Sequence, residues 1–179
     1  VTGASNTGAK DALQRDAADA PLSVTSFQGD TARSPDGQAM SGARPGALRI
    51  PVAGVTAADL VDTFTEPRGD RLHNALDIIM PQGSPVLAAA DGTVAKLFVS
   101  EDGGNSVYVR SPDGARMYYY AHLLGYQPGL AEGAFVRAGQ QIGTVGNTAG
   151  DGRPSVHFET WRMRGDQPVA IDPLTVLPR

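Results

Sequence analysis

The chain has 179 residues, no cysteine, three histidines and a formal net charge of -4. That length supports one domain, or one domain with an appendage, around a real core, and the lack of thiols excludes disulfide frameworks and cysteine nucleophiles and leaves histidine and carboxylate to hold any metal. Interspersed charges without a basic stripe argue against nucleic acid as a partner, and no apolar run approaches the roughly 18 residues of a transmembrane segment, which predicts a soluble chain.

Residues 1–45 are rich in Ala, Gly, Ser, Thr, Asp and Gln, with isolated large side chains such as Leu13, Leu22 and Phe27. Such a segment buries too little surface to offset its ordering entropy and is expected to be a polar linker or packed arm. A helix over 9–20 would stop at Pro21. No charged stretch followed by an apolar signal core is visible. From 46 to 179 the texture changes to short Val, Ile, Leu, Phe and Tyr runs, predicting strands over 47–52, 76–80, 85–90, 93–99, 106–110, 116–122, 141–145, 155–161 and 169–171. Turn chemistry separates them at Asp91-Gly92, at 102–105, at 111–114 and at 150–152. Only 57–63 and 129–132 look briefly helical, so the expected fold class is mainly β, an antiparallel sandwich or barrel. The loop 146–152 lacks the Lys-Ser/Thr of a phosphate loop and reads as a flexible approach to the next strand and a candidate groove wall.

The histidines are the candidate chemistry. His73 precedes Asp77 by four residues, a weak signal in a chain with fifteen aspartates; both can ligate a borderline cation if a loop entering a strand turns them toward one point. In Ser155-Val156-His157-Phe158-Glu159 the period of two puts Ser155, His157 and Glu159 on one face and Val156 and Phe158 in the core. A solvated histidine is the plain alternative there. His122 ends the run Tyr118-Tyr119-Tyr120-Ala121, where a hydrogen-bonded strand-end histidine is equally ordinary. Tyr118 and Tyr120 share one face of that strand, to line a groove, donate to an oxyanion or pack the sheet. Glu159 is a candidate partner for the outer N–H of His157 or His122.

Together these segments resemble the LytM/lysostaphin-like zinc metallopeptidases, whose pattern runs H-x-x-x-D, a Gly-Thr-Pro-Val-like strand, an Asp-Gly turn, Y-A-H-L and H-x-H-F-E. The same order appears here as His73 to Asp77, Gly83-Ser84-Pro85-Val86, Asp91-Gly92, Tyr120-Ala121-His122-Leu123, Gly139-Gln140-Gln141-Ile142-Gly143 and Val156-His157-Phe158-Glu159. The similarity covers about 48–177 and implies a duplicated β hybrid motif with few short helices. It further implies that His73, Asp77 and His157 hold Zn2+, that His122 is a catalytic histidine beside it, and that the substrate is the peptide cross-link of bacterial peptidoglycan. The implied setting is the bacterial cell envelope, periplasmic or extracellular, where a protein partner is also conceivable. The ending Ile171-Asp172-Pro173-Leu174 resembles the family's closing segment.

One position departs from that pattern. Ser155 stands where the family's first H-x-H histidine assists proton transfer, and a hydroxyl neither titrates near neutrality nor carries positive charge. Two readings follow: a metalloendopeptidase that works through zinc and His122 with reduced activity, and an inactive domain that binds peptidoglycan or regulates another cell-wall hydrolase. A phosphocarrier pair of His122 and His157 on a related β hybrid fold leaves His73 and Asp77 unexplained.

Overall fold

The alternating runs pair into one branched antiparallel sheet of nine strands, with a small separate hairpin at its side. The structure is a computed structural model that describes residues 48–149 and 152–179. The expected linker over 1–45, its helix and part of the 150–152 turn lie outside the described residues. No helix is long and apolar enough to cross a membrane among the described residues.

The hairpin joins β1 (Pro67–Arg68) to β2 (Arg71–Leu72). Its two-residue turn starts at Gly69, whose φ of 67° suits a tight hairpin. The sheet proper contains β3 (Leu76–Ile79), β4 (Pro85–Leu87), β5 (Gly92–Ser100), β6 (Gly104–Arg110), β7 (Arg116–Tyr126), β8 (Phe135–Val136), β9 (Gln141–Val145), β10 (Ser155–Arg164) and β11 (Gln167–Ile171). Its main path runs β11-β10-β7-β6-β5-β8, while β3 joins β10, and β9 joins both β7 and β4. The mainly antiparallel β expectation therefore holds.

Several boundaries differ. The strand expected over 47–52 is present only as a bridge from Val52 to Val86: the Arg49 N–H donates to the Ala89 carbonyl at 2.7 Å and the Pro51 carbonyl accepts from the Leu87 N–H at 2.8 Å, but Pro51 has no N–H to continue the ladder; the first residue, Ala47, lies outside the described residues. The stretch 57–63 yields a 3-10 turn, Ala57–Asp59, and 129–132 yields no helix; a second 3-10 turn, Pro173–Thr175, follows Asp172, which accepts the Leu174 N–H at 2.9 Å.

Side-chain parity divides the sheet into two faces. Val156 and Phe158 of β10, Tyr118 and Tyr120 of β7, and Leu76 and Ile78 of β3 enter the main core with Val107, Val109, Leu123, Ile142 and Val145. On the opposite face Trp161, Tyr119, Tyr108, Met117 and Ala121 form a smaller cluster, in which Tyr119 and Trp161 stack at 5.9 Å with planes 14° apart. Fully burying each large side chain contributes roughly 1.5–3 kcal/mol, so the first cluster carries the stability. The second covers one end of the face on which the histidines gather.

Candidate metal centre

Register places the first pair. β10 lies between β3 and β7, with His157 opposite Asp77 on one side and Ala121 on the other. Directly opposed residues of an antiparallel pair share a face, so Asp77 and His157 stand side by side. His73 arrives from the hairpin. Asn74 turns the chain between His73 and Asp77 with φ 59°, a left-handed conformation that asparagine tolerates. The His73 and Asn74 N–H groups donate to Glu66 and Phe64 carbonyls at 2.9 Å each. Thr63 fastens this loop to β3: its hydroxyl donates to the Ala75 carbonyl and accepts from the Asp77 N–H, both at 3.0 Å.

His122 reaches the site through a break in parity. Alternation along β7 would send it into the core beside Tyr120. Instead, the pairs Val107↔Tyr120 and Asn105↔Leu123 set three steps of β7 against two of β6. This is a β-bulge, and His122 occupies it with φ 64°, its N–H donating to the Gly103 carbonyl at 2.8 Å. Ala121 and His122 consequently face the same way, and Leu123 returns to the core. Gly146 lies so close that a Cβ there would collide with the Leu124 backbone, which lets the loop after β9 lie against the bulge. Thr148 ties the described part of that loop down, donating to the Leu123 carbonyl at 3.1 Å and accepting from the Asn105 N–H at 2.9 Å.

The three converging atoms are His73 Nε2, His157 Nδ1 and the Asp77 carboxylate. His73 Nε2 is 3.1 Å from His157 Nδ1 and 3.1 Å from Asp77 Oδ2, and His157 Nδ1 is 3.1 Å from Asp77 Oδ1. The outer ring nitrogens are committed elsewhere. His73 Nδ1 donates to the Thr63 carbonyl at 3.0 Å, and His157 Nε2 donates to the Glu159 carboxylate at 3.0 Å. Neither acceptor can donate, so each neutral imidazole keeps its lone pair on the inward nitrogen. Two lone pairs and a carboxylate at 3.1 Å repel one another unless a cation or a proton lies among them. Tetrahedral zinc with bonds of 2.0–2.1 Å spaces its ligands roughly 3.3 Å apart, so the donor set and its spacing fit that ion, and these three residues are the group that could hold a metal among the described residues.

Without a metal, a proton fills that role. Burial pushes the His157 imidazole down, but hydrogen bonds and charge from Asp77 and Glu159 outweigh it and raise its pKa to about 9. Burial likewise pushes the Asp77 carboxyl up, and the hydrogen bonds and electrostatic effect of His157 and His73 more than reverse this, holding it well below the usual carboxylate range.

The remaining expected residues divide by face. His122 and Ser155 are both buried, with Nδ1 and Oγ 3.4 Å apart, and the His122 ring centroid is 5.4 Å from that of His157. Glu159 also accepts from Trp161 Nε1 at 2.8 Å, so a buried aromatic fixes the carboxylate that fixes His157. Tyr118 and Tyr120 do not line the groove. Both point into the main core; Tyr120 takes the Ala89 N–H on its phenol oxygen at 2.8 Å, and burial pushes both phenols up in pKa. Tyr119 faces the site instead, edge-on to His157 at 6.1 Å. Sequence reading also passes over Thr63 and Arg68, the latter donating from Nη2 to Asp77 Oδ2 at 3.0 Å. A threonine and an arginine in polar connections carry no periodic signal, although Gly69-Asp70 marks a two-residue hairpin turn that would have brought Arg68 near.

Comparison with known proteins agrees with the geometry. The model of Peptidase family M23 matches residues 71–173. The chain is similar to the cell division protein DipM of Caulobacter vibrioides, 33% identical over 84% of this chain and 24% of that protein. It is also similar to the DD-carboxypeptidase/endopeptidase Mpg of Neisseria meningitidis, 43% identical over 55% of this chain and 22% of that one. The chain thus spans about a quarter of the length of these relatives. Among solved structures, the catalytic domain of lysostaphin from Staphylococcus simulans aligns with a TM-score of 0.55 and 31% identity, covering 61% of this chain and 83% of that domain. A zinc-containing peptidase from Vibrio cholerae aligns with a TM-score of 0.55 and 26% identity, over 69% and 39% of the two chains. On fold, motif order and sequence alike, the chain belongs to peptidase family M23.

Proposed function

We propose that residues 46–179 form a zinc-dependent endopeptidase domain acting on the peptide cross-links of bacterial peptidoglycan, in the periplasm or outside the cell. The observation that carries this is the convergence of three inward lone-pair atoms at 3.1 Å beside a buried histidine. His73, Asp77 and His157 would hold the ion, leaving an open position as catalytic zinc sites do. Zinc supplies Lewis acidity, which polarises a peptide carbonyl and brings the pKa of water toward about 7. The protein's own groups supply orientation and proton transfer. Glu159 and the Thr63 carbonyl fix the two ligand imidazoles, and Arg68 steadies the Asp77 carboxylate. His122 takes up or delivers the proton, its ring held beside Ser155 Oγ.

Ser155 favours a second reading, an inactive domain that binds peptidoglycan or regulates another hydrolase. One experiment separates the two. Purified chain is expected to contain about one zinc per molecule, with Asp77→Ala losing most of it, and to release soluble peptides from purified peptidoglycan. Ser155→His is expected to raise that rate by about 10²- to 10⁴-fold, the usual worth of a positioned general acid or base. A silent wild type with an active Ser155→His variant establishes the second reading, and a metal-free wild type sinks the first.

A further inference from the structure

Next to the converging ligands the surface opens into a cleft of about 540 Å³, whose lining runs from Asp77 to Val61, Ile79, Arg68 and Arg153. Val61 and Ile79 are 68% and 52% exposed, and they offer apolar surface in the same cleft as two guanidinium groups. The acidic side chains of the lining are already engaged. Asp59 accepts from the Thr56 N–H at 2.9 Å and the Thr56 hydroxyl at 2.6 Å, Glu66 lies 3.4 Å from Arg68 Nη2, and Asp77 belongs to the ligand set. Of the two arginines, Arg153 is the less committed. Arg68 contacts Glu66 and Asp77 through Nη2 alone, with its side chain 45% exposed, and Arg153 makes no ion pair with a described residue. Guanidinium groups stay charged, and their planar fork matches a carboxylate bidentately.

We infer that this cleft is a subsite for a peptide residue bearing a free carboxylate on a hydrocarbon body, next to the bond to be cut. Arg153 anchors the carboxylate, Arg68 gives a second donor, and Val61 and Ile79 take the hydrocarbon. The inference rests on the peptidase reading for the position of the scissile bond, but the carboxylate preference of the cleft can be measured by itself. The probe is the tripeptide amide L-Ala-γ-D-Glu-L-Lys-NH2, whose one carboxylate is the free α-carboxylate of D-Glu, against the same peptide with that group amidated too. Each is titrated calorimetrically into the zinc-loaded full chain. The acid is expected to bind about tenfold more tightly than the amide, as one charge-assisted contact would give. Arg153→Ala should bring the acid down to the level of the amide, Arg153→Lys should restore part of the preference, and zinc content and melting temperature should stay unchanged in both. Equal affinities for acid and amide, no binding of either at millimolar concentration, or a preference that survives Arg153→Ala would each overturn the inference. A chain that cleaves peptidoglycan yet ignores the carboxylate refutes the subsite alone; one that prefers the acid yet cleaves nothing refutes the peptidase reading alone.

Discussion

The two faces of β7 and β10 are made by alternate residues of the same strands and serve different ends. On one, Tyr118, Tyr120, Val156 and Phe158 are sealed into the main core; on the other, Tyr119, His157 and Glu159 form a polar array around a point where three acceptors meet. Neither face is independent, because the positions of His157 and Asp77 are fixed by ladders whose register the core residues enforce. A one-residue slip would send His157 into the core and Phe158 to the surface. The site is thus a by-product of packing, with His122 as the exception that needed a bulge.

The largest effect should come from separating the faces. Phe158→Ala empties a buried volume and is expected to cost about 3–5 kcal/mol by thermal or denaturant unfolding, while the folded fraction at low temperature still binds one zinc. Loss of zinc from that folded fraction would break the distinction. On the polar face, Glu159→Gln weakens the acceptor that holds His157 Nε2–H, and zinc affinity should fall about 10- to 100-fold by competition with a chelator, with a much smaller change in melting temperature.

A third effect depends on pH and has opposite signs for stability and affinity. In metal-free protein the His157 pKa is raised from 6.5 to about 9, so its stabilising contribution is complete below 6.5 and is lost as pH rises through 9. Asp77 is depressed from 3.8, so its contribution is present above 3.8 and is lost as pH falls. The melting temperature of chelator-treated protein should therefore decline between pH 6.5 and 9. Zinc must displace the His157 proton, so its affinity should climb by about tenfold per pH unit toward pH 9, with close to one proton released per zinc when calorimetry is repeated in buffers of different ionisation enthalpy. An affinity flat across this range would show that His157 Nδ1 is not a ligand.

Much of this was legible in the residues. The β10 alternation foretells which side chains enter the core, and the motif order brings His73, Asp77, His122 and His157 together before any coordinates. What escaped lacked a periodic signature. The β1–β2 hairpin has two-residue arms that are wholly exposed, too short and too charged to read as strands. The placement of Tyr118 and Tyr120 depends on which face of β7 is buried, and a strand with apolar residues on both faces does not declare this. The bulge that turns His122 toward the site escaped because period-two reading assumes an unbroken ladder, and a bulge is a property of two strands together.

The bulge also has an energetic side. A non-glycine residue in the left-handed region costs roughly 1–2 kcal/mol, a strain offset at His122 by the packing of its buried ring. His122→Gly should change the melting temperature little, because relief of the strain is set against the loss of a buried ring, while removing the imidazole from the site. The bulge thus holds an imidazole in a conformation that suits glycine, and backbone strain is stored at the one point of β7 that turns a side chain from the core toward the converging acceptors.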